Sequence, residues 1–337
     1  MKNSVLLLML FLLGFVGFSQ QKVALHHGSV ITIFGGGDPF TAAYNAAVNG
    51  DVIYLPGGNL PYPSFIDKSL VIIGAGHYPA ATVATNRTVL NGSLTIGENA
   101  DNLHLEGIEI VSTLSFNNNN KVDGVVIKRC RINIIGYGGD GTTPCLNNTI
   151  RECVINSYID FSNAKSLLFS NNIIGGYIAN GTELGISNNI FLLNTFSYDF
   201  NNIDNSSISN NIILQQYAGM TYIHIGCELS TFSNNIFAGT PSVASNTFVN
   251  NYNNIAMTGL FVNQTSNIFD YADDYHLVNP LTYLGTEGSQ VGIYGGLFPY
   301  KELGIPVNPN IISKTIAPQT NASGELNFQV QVKAQNN

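Results

Sequence analysis

The sequence predicts an all-β solenoid, a coil of short parallel strands stacked one above another. An apolar residue, a serine, two asparagines and two further apolar residues recur together at 169–174, 186–191, 208–213 and 232–237. Three related hexapeptides without the asparagine pair begin at Leu105, Ile127 and Ile150. Successive copies are separated by 22, 23, 19, 17, 22 and 24 residues, with no helical periodicity between them. A short, drifting period rich in β-branched residues is typical of stacked strands.

Each position of the hexapeptide predicts its own environment. Position one is always Leu, Ile or Phe and position six is always Ile or Phe, so both should face a core. Position two is charged or serine and should face water. Position four is never charged and is occupied by Ile108, Cys130, Cys153, Asn172, Asn189, Asn211 and Asn235. A leucine-rich repeat is the nearest alternative fold, but it needs several leucines ahead of its asparagine, whereas here the apolar residues bracket the amides.

Position four is predicted to form a column along the solenoid axis. Successive turns of a parallel β-coil lie about 4.8 Å apart, so equivalent side chains stack directly. An asparagine tolerates the left-handed backbone of a sharp bend, and its amide can donate to and accept from the amides above and below. Cys130 and Cys153 occupy this column on adjacent turns, where a disulfide and two packed thiols both fit.

The first 19 residues predict a secretory signal peptide. Lys2 precedes an apolar run from Val5 to Val16, and the small residues Gly17 and Ser19 favour cleavage after Ser19. A membrane anchor, the alternative, needs about 20 apolar residues. We therefore expect a secreted chain, extracellular or periplasmic, with no membrane span.

The ends of the predicted solenoid need covers, because a stacked sheet exposes unpaired edges. After an N-terminal segment at 20–37, Asp38, Pro39 and Gly50 are typical of the cap, first turn and end of a helix, predicted at 39–49. The β-helix domain is predicted to span 38–299. In the tail, 300–337, four apolar residues alternate with polar ones and predict one amphipathic strand that docks on the rod: Leu326, Phe328, Val330 and Val332. A secretion tag is the other interpretation of this tail.

Three stretches carry a resemblance to a known group. The predicted helix is followed by NGDVIYLPGG at 49–58, then SLVIIGAG at 69–76, then the asparagine-bearing coils. This order resembles secreted right-handed parallel β-helix proteins of the pectate-lyase-like superfamily, over residues 38–299. Asp273–Gly296, with DDYHLVNP and GSQVGIYGG, is similar to the stretch that closes the helix in bacterial members. The resemblance implies a right-handed coil but no single activity, since the group includes lyases, hydrolases, isomerases, adhesins and non-catalytic envelope proteins.

A lyase of this group would cut an acidic polysaccharide and would need cations to neutralise the substrate carboxylate. The densest cationic patch comprises Lys121, Lys128, Arg129, Arg131 and Arg151. The repeat alignment offers another interpretation, a salt-bridge ladder in which Lys128 stacks on Glu106, Arg131 on Glu109 and Arg129 on Glu152. The paired aspartates, the histidine motif and the arginine motif of the catalytic members are absent from the sequence. No catalytic residue is therefore assigned.

Two further groups of residues are candidates for binding. Asp270, Asp273 and Asp274, with His276 beside them, offer hard oxygen ligands for calcium or are solvated residues at the closing end. No cofactor is otherwise expected. Six tyrosines recur at roughly one per coil, as an outward row that stacks on sugar rings or as covers for apolar edges: Tyr137, Tyr158, Tyr177, Tyr198, Tyr217 and Tyr222.

The acidic balance of the chain restricts its partners. Charged residues make up only 10% of the chain, the formal net charge is −8 and the pI is near 5.1, so nucleic acid is not expected. The first hypothesis is a non-catalytic exported rod, monomeric, that binds polysaccharide or forms part of the cell envelope. A lyase or glycoside hydrolase acting on an acidic polysaccharide is the alternative, and an adhesin is a third.

Overall fold

The computed structural model describes residues 21–116, 121–192, 198–214, 224–241, 245–264 and 268–334. It confirms the predicted fold class, a right-handed parallel β-helix with one short helix at its N-terminal end. The predicted signal peptide lies outside the described residues. Within the described ranges, no helix is long and apolar enough to cross a membrane.

The first sheet of the β-helix contains position one of every repeat. Its parallel strands pair in register, with Ile127 opposite Leu105 on one side and Ile150 on the other. These central residues are buried, which confirms that position one faces the core. In chain order, the described parallel strands are Val52–Tyr54, Val71–Ile73, His104–Glu106, Val126–Lys128, Thr149–Arg151, Leu168–Ser170, Gly185–Ser187, Ser207–Ser209, Thr231–Ser233 and Thr247–Val249.

Two further sheets complete each turn. The second sheet contains Gly58–Asn59, Thr88–Leu90, Val154–Ile155, Ile173–Ile174, Ile190–Phe191, Ile212–Ile213, Ile236–Phe237 and the first residues of Glu109–Phe116 and Arg131–Tyr137. The third sheet contains Phe65–Ile66, Leu94–Ile96, Ile159–Asp160, Ile178–Thr182, Phe200–Asp204, His224–Ile225 and the last residues of the same two long strands. The short strands Cys145–Leu146 and Ala164–Lys165 pair beside the third sheet. Position six lies in the second sheet and is buried in the main core, as predicted.

The N-terminal end is covered by a hairpin and the helix. The helix spans Pro39–Ala46, shorter than the predicted 39–49, because Ala47 is already extended. Asp38 accepts a hydrogen bond from the Thr41 amide at 3.1 Å, as its predicted capping role requires. The N-terminal segment also forms an antiparallel hairpin of strands Val23–His27 and Val30–Phe34, which was not predicted. Its first strand, Val23–His27, pairs antiparallel with Val52–Tyr54.

The described region after the coils packs along the side of the β-helix, a placement that the resemblance did not predict. A hairpin of Phe261–Asn263 and Asp274–Leu277 leads into a chain that runs back along the outer face of the second sheet. There the outward residues Ile173, Ile190 and Ile212 form a second apolar cluster with residues of this chain, including Leu277, Val291 and Ile293. We call residues 268–306 the covering segment; it ends with a 3-10 turn at Glu302–Gly304.

The C-terminal tail also differs from the prediction. The predicted amphipathic strand is present as Phe328–Lys333, but it pairs antiparallel with Asn310–Ile316 instead of docking on the rod. All six residues of the strand are exposed. A two-stranded hairpin is marginally stable by itself. The tail is therefore an exposed hairpin with apolar side chains in water.

The two asparagines of each repeat have different roles. The second asparagine forms the predicted column: the Asn189 amide nitrogen donates to Asn211 Oδ1 at 2.9 Å and to the Phe169 carbonyl at 3.0 Å. The backbone amide of Asn189 also donates to Asn211 Oδ1, at 2.9 Å. The same pattern links Asn172 to Asn189, Asn211 to Asn235 and Asn235 to Asn251. The column is thus confirmed and continues one turn further than predicted, to Asn251.

The first asparagine adopts the left-handed bend and points outward. The backbone φ is +55° at Asn171, +57° at Asn188, +59° at Asn210 and +54° at Asn234. The Asn171 amide donates to the carbonyls of Ile293 and Gly295, at 2.8 and 2.9 Å. The other three amides donate to Gly292, Thr286 and Leu284. The repeat therefore also supplies a row of donors that fixes the covering segment.

Candidate functional site

The described part of the tyrosine row lies on the outer face of the third sheet. Pairing of Ile159 with Ile178 places Tyr158 directly beside Tyr177 on the next turn. Their ring centroids are 5.4 Å apart and the rings are nearly parallel, at 9°. Tyr198 follows at 5.3 Å with its ring at 80° to Tyr177. All three side chains are half-buried, so each presents part of its ring to solvent.

Tyr137 does not belong to this row. It is fully buried and stacks on Phe116 inside the coil, with centroids 3.8 Å apart. The pairing of Gly136 with Asp160 explains the difference, because it places Tyr137 opposite the inward Phe161 and not opposite Tyr158. Tyr217 and Tyr222 lie outside the described residues. We therefore define the tyrosine row as Tyr158, Tyr177 and Tyr198.

Polar side chains accompany the tyrosine row on the same strands. The Asn180 amide donates to Asp160 Oδ1 at 3.2 Å, and the Asn202 amide donates to Asn180 Oδ1 at 3.2 Å. Asn180 and Asn202 are exposed. This polar row was not predicted from the sequence. The strands of the third sheet follow the hexapeptide after connections of variable length, so their residues cannot be aligned from the repeat. Together the two rows offer aromatic surface and hydrogen-bonding groups over three successive turns.

Most of the predicted cationic patch is engaged in ion pairs. Arg129 is 1% exposed and donates to Glu152 at 2.8 Å and to Glu106 at 3.3 Å. Its guanidinium also donates to the Ile305 carbonyl at 3.1 Å, which ties it to the covering segment. Lys128 lies 3.7 Å from Glu152. The predicted pair of Arg129 and Glu152 is confirmed, whereas the ion pair of Lys128 is with Glu152 and not with Glu106, although Glu106 is its strand partner.

The remaining cations of the patch are also held by neighbours. Arg131 lies 3.7 Å from Glu109, as predicted, and Lys121 lies 3.0 Å from Asp123. Arg151 has no ion pair among the described residues, but its guanidinium lies 4.4 Å from the centre of the Phe298 ring. Few cations of the patch are therefore available to a substrate carboxylate.

The buried carboxylate Glu106 stays ionised through its neighbours. Burial opposes its ionisation, but the adjacent His104, whose Nε2 lies 3.2 Å from Glu106 Oε2, and the charges of Lys128 and Arg129 outweigh burial and hold the pKa of Glu106 below its ordinary 4.5. Burial and the adjacent Arg129 lower the pKa of Lys128. The ladder is thus a compact set of mutually dependent charges.

The acidic residues considered as calcium ligands accept hydrogen bonds from neighbouring groups. Asp270 accepts from the Ala272 amide at 2.8 Å, and Asp273 accepts from the Tyr275 hydroxyl at 3.0 Å. Asp274 accepts from the ring nitrogen of His276 at 2.7 Å. Among the residues that the structure describes, no group of three or more His, Cys, Asp or Glu side chains is arranged to hold a metal ion.

The four cysteines are free and buried. Cys130 and Cys153 adjoin in the column, where the Cys130 amide lies 3.5 Å from Cys153 Sγ. The thiols donate to the carbonyls of Lys128 and Arg151, at 3.3 and 3.2 Å. Burial raises the pKa of the Cys153 thiol well above its usual value. Of the two arrangements left open by the sequence, the structure contains packed thiols.

No protein-family model, no curated protein and no solved structure matches this chain.

Proposed function

We propose that this chain is an exported, non-catalytic rod of the pectate-lyase-like superfamily that binds a neutral polysaccharide along the tyrosine row. One observation carries the proposal: three half-buried tyrosines lie on successive turns with exposed hydrogen-bonding side chains beside them. The N-terminal sequence pattern supports export. The order of helix, strands and coils supports the superfamily assignment.

The chemistry of the two rows suits a sugar chain. The apolar C–H faces of sugar rings pack on aromatic rings, while their hydroxyls exchange hydrogen bonds with amides and carboxylates. Tyr158 and Tyr177 already support each other, so little side-chain freedom remains to be lost on binding. Since both rows follow the rod axis, the ligand is an extended polymer and not a single sugar.

Electrostatics favours a neutral polymer over an acidic one. The chain has a net charge of −8, which repels polyanions. β-Elimination next to a uronate needs cations free to neutralise the carboxylate, whereas Arg129, Arg131 and Lys128 are in ion pairs with glutamates. Binding without cleavage is therefore the function that the described residues support best.

The test is binding of residues 20–337 to a panel of neutral and acidic polysaccharides by affinity electrophoresis. Tyr158→Ala and Tyr177→Ala should each weaken binding about 2- to 12-fold, the range expected for one aromatic contact. Tyr54→Ala is the matched control, because Tyr54 is also half-buried but lies in the first sheet. Preference for acidic polymers, equal losses in the control, or release of reducing ends or unsaturated products would each overturn the proposal.

A further inference from the structure

A small cavity lies where the covering segment meets the outer face of the second sheet. Its volume is about 210 Å³, and Ile173 and Ile293 form part of its wall. Five tyrosines also line it: Tyr78, Tyr271, Tyr275, Tyr294 and Tyr300. The cavity is distinct from the tyrosine row, which lies on the third sheet. It brings together residues more than 200 positions apart, since the hydroxyls of Tyr78 and Tyr300 lie 3.2 Å from each other.

The charged groups of this cavity are all acidic. Asp273, Asp274 and Glu302 line it, and none of its lining residues is a lysine, arginine or histidine. The phenols add no positive charge and remain protonated at neutral pH. Burial raises the pKa of Tyr78 to about 12 and raises that of Tyr300 well above its usual value. The cavity therefore combines an aromatic wall with negative charge, of which Asp274 and Glu302 lie at the exposed side.

Aromatic rings together with carboxylates attract organic cations. The face of a tyrosine ring carries negative electrostatic potential and binds ammonium or guanidinium groups at distances up to about 6 Å from its centre. One ring of this cavity already makes such a contact from outside. The Arg131 guanidinium lies 5.1 Å from the centre of Tyr271 and donates to its hydroxyl at 3.0 Å.

The three carboxylates are not arranged as a metal site. Asp273 accepts from the Tyr275 hydroxyl, and Asp274 accepts from His276. Glu302 is 65% exposed and lies 3.7 Å from the other ring nitrogen of His276. The described residues contain no group of three or more His, Cys, Asp or Glu side chains placed to share one ion. Carboxylates that are not placed to share one ion suit an organic cation better than a compact metal ion.

We propose that this cavity binds a small organic cation, an amine or a quaternary ammonium group, between tyrosine rings and carboxylates. Its volume is below the roughly 300–1,000 Å³ of drug-sized pockets, so the ligand is a molecule of few atoms or one cationic group of a larger molecule. Glu302, in the 3-10 turn at the rim, provides charge at the entrance.

The probe is tetramethylammonium chloride, and the neutral tert-butanol provides a comparison of similar size and shape. Saturation-transfer NMR on residues 20–337 should show saturable binding of tetramethylammonium and weaker binding of tert-butanol. Glu302→Gln should weaken the binding of tetramethylammonium about 1.5- to 5-fold, since it removes one largely exposed carboxylate and leaves the aromatic contacts in place. This side chain is largely exposed, so the variant should fold. Glu325→Gln is the control, because Glu325 is an exposed acid in the C-terminal hairpin region.

Several outcomes would overturn this inference. One is the absence of saturation at tetramethylammonium concentrations up to about 80 mM. This Kd corresponds to about 0.3 kcal/mol of binding free energy for each of the five non-hydrogen atoms of the probe, a low ligand efficiency. If tert-butanol bound as tightly as tetramethylammonium, charge would not contribute to binding. If Glu325→Gln weakened the binding of tetramethylammonium as much as Glu302→Gln does, the probe would not bind in this cavity. Displacement of the probe by calcium chloride at constant ionic strength would indicate a metal site instead. None of these results bears on polysaccharide binding, which Tyr158→Ala and Tyr177→Ala test separately.

Discussion

Replacement of Asn211 by alanine should destabilise the β-helix more than the same change at the end of the column. Asn211 is fully buried and lies in the middle of the amide column. Its oxygen accepts from the backbone and side-chain nitrogens of Asn189, both at 2.9 Å. Its nitrogen donates to Asn235 Oδ1 at 2.9 Å and to the Ile186 carbonyl at 3.0 Å.

The expected loss in the free energy of unfolding follows from these four hydrogen bonds. Each contributes about 0.5–1.5 kcal/mol to stability, so Asn211→Ala should lower the free energy of unfolding by about 2–6 kcal/mol. The value should lie in the upper part of this range, because the Asn189 backbone amide then loses its acceptor in a fully buried position, while the Asn189 side-chain nitrogen keeps only its bond to the Phe169 carbonyl. Asn251 ends the column and is partly exposed, so water can replace its contacts. For Asn251→Ala we expect a loss of about 1–2 kcal/mol.

Urea unfolding followed by circular dichroism measures both losses, and the chain has no tryptophan to serve as a fluorescent probe. Asn211→Leu keeps most of the side-chain volume without an amide, so it separates the loss of hydrogen bonds from the opening of a cavity. The reasoning would be refuted if Asn211→Ala cost no more than Asn251→Ala. It would also be refuted if Asn211→Leu were as stable as the natural protein.

Two other predictions concern the covering segment and the buried charges. Asn171→Gly keeps the left-handed backbone but removes both hydrogen bonds to Ile293 and Gly295, so amide exchange at 291–296 should accelerate and stability should fall by about 1–3 kcal/mol. Asn171→Ala should lower the free energy of unfolding by about 1 kcal/mol more than Asn171→Gly, because alanine is strained at the φ of +55° that residue 171 adopts. Equal stability of the two variants would show that the left-handed backbone of residue 171 does not contribute. Because the folded pKa of Glu106 lies below 4.5, its contribution to stability is complete above pH 4.5 and is lost as the pH falls through the folded value. Unfolding midpoints measured between neutral and acidic pH should therefore fall more steeply for the natural protein than for Glu106→Gln, and parallel curves would exclude this role of Glu106.

The fold class, the core positions and the amide column could all be predicted from the repeat in the sequence. These features repeat once per turn, and a stacked parallel coil places equivalent residues in equivalent environments. Seven copies of the hexapeptide were therefore enough to assign Asn172 and Asn189 to one column. Asn251 was missed because its hexapeptide, FVNNYN, ends in Asn253 where the other copies have Ile or Phe.

The sequence did not separate the tasks of the two asparagines. Both tolerate bends and both carry an amide, so composition alone cannot assign one to the column and the other to the outer row. Only the tertiary structure, with the covering segment laid against Asn171 and Asn188, shows which carbonyls the first asparagine reaches.

The surfaces that carry the functional proposals could not be predicted from the sequence. Tyr137 and Tyr158 look equivalent in the sequence, yet one is buried and the other half-exposed, since connections of unequal length shift the third sheet against the repeat. In the tyrosine-lined cavity, the hydroxyls of Tyr78 and Tyr300 are in contact. This contact depends on the path of the covering segment, and no local sequence pattern predicts it. Local repetition fixes what lies inside each turn, whereas contacts between distant segments determine what the outer faces present.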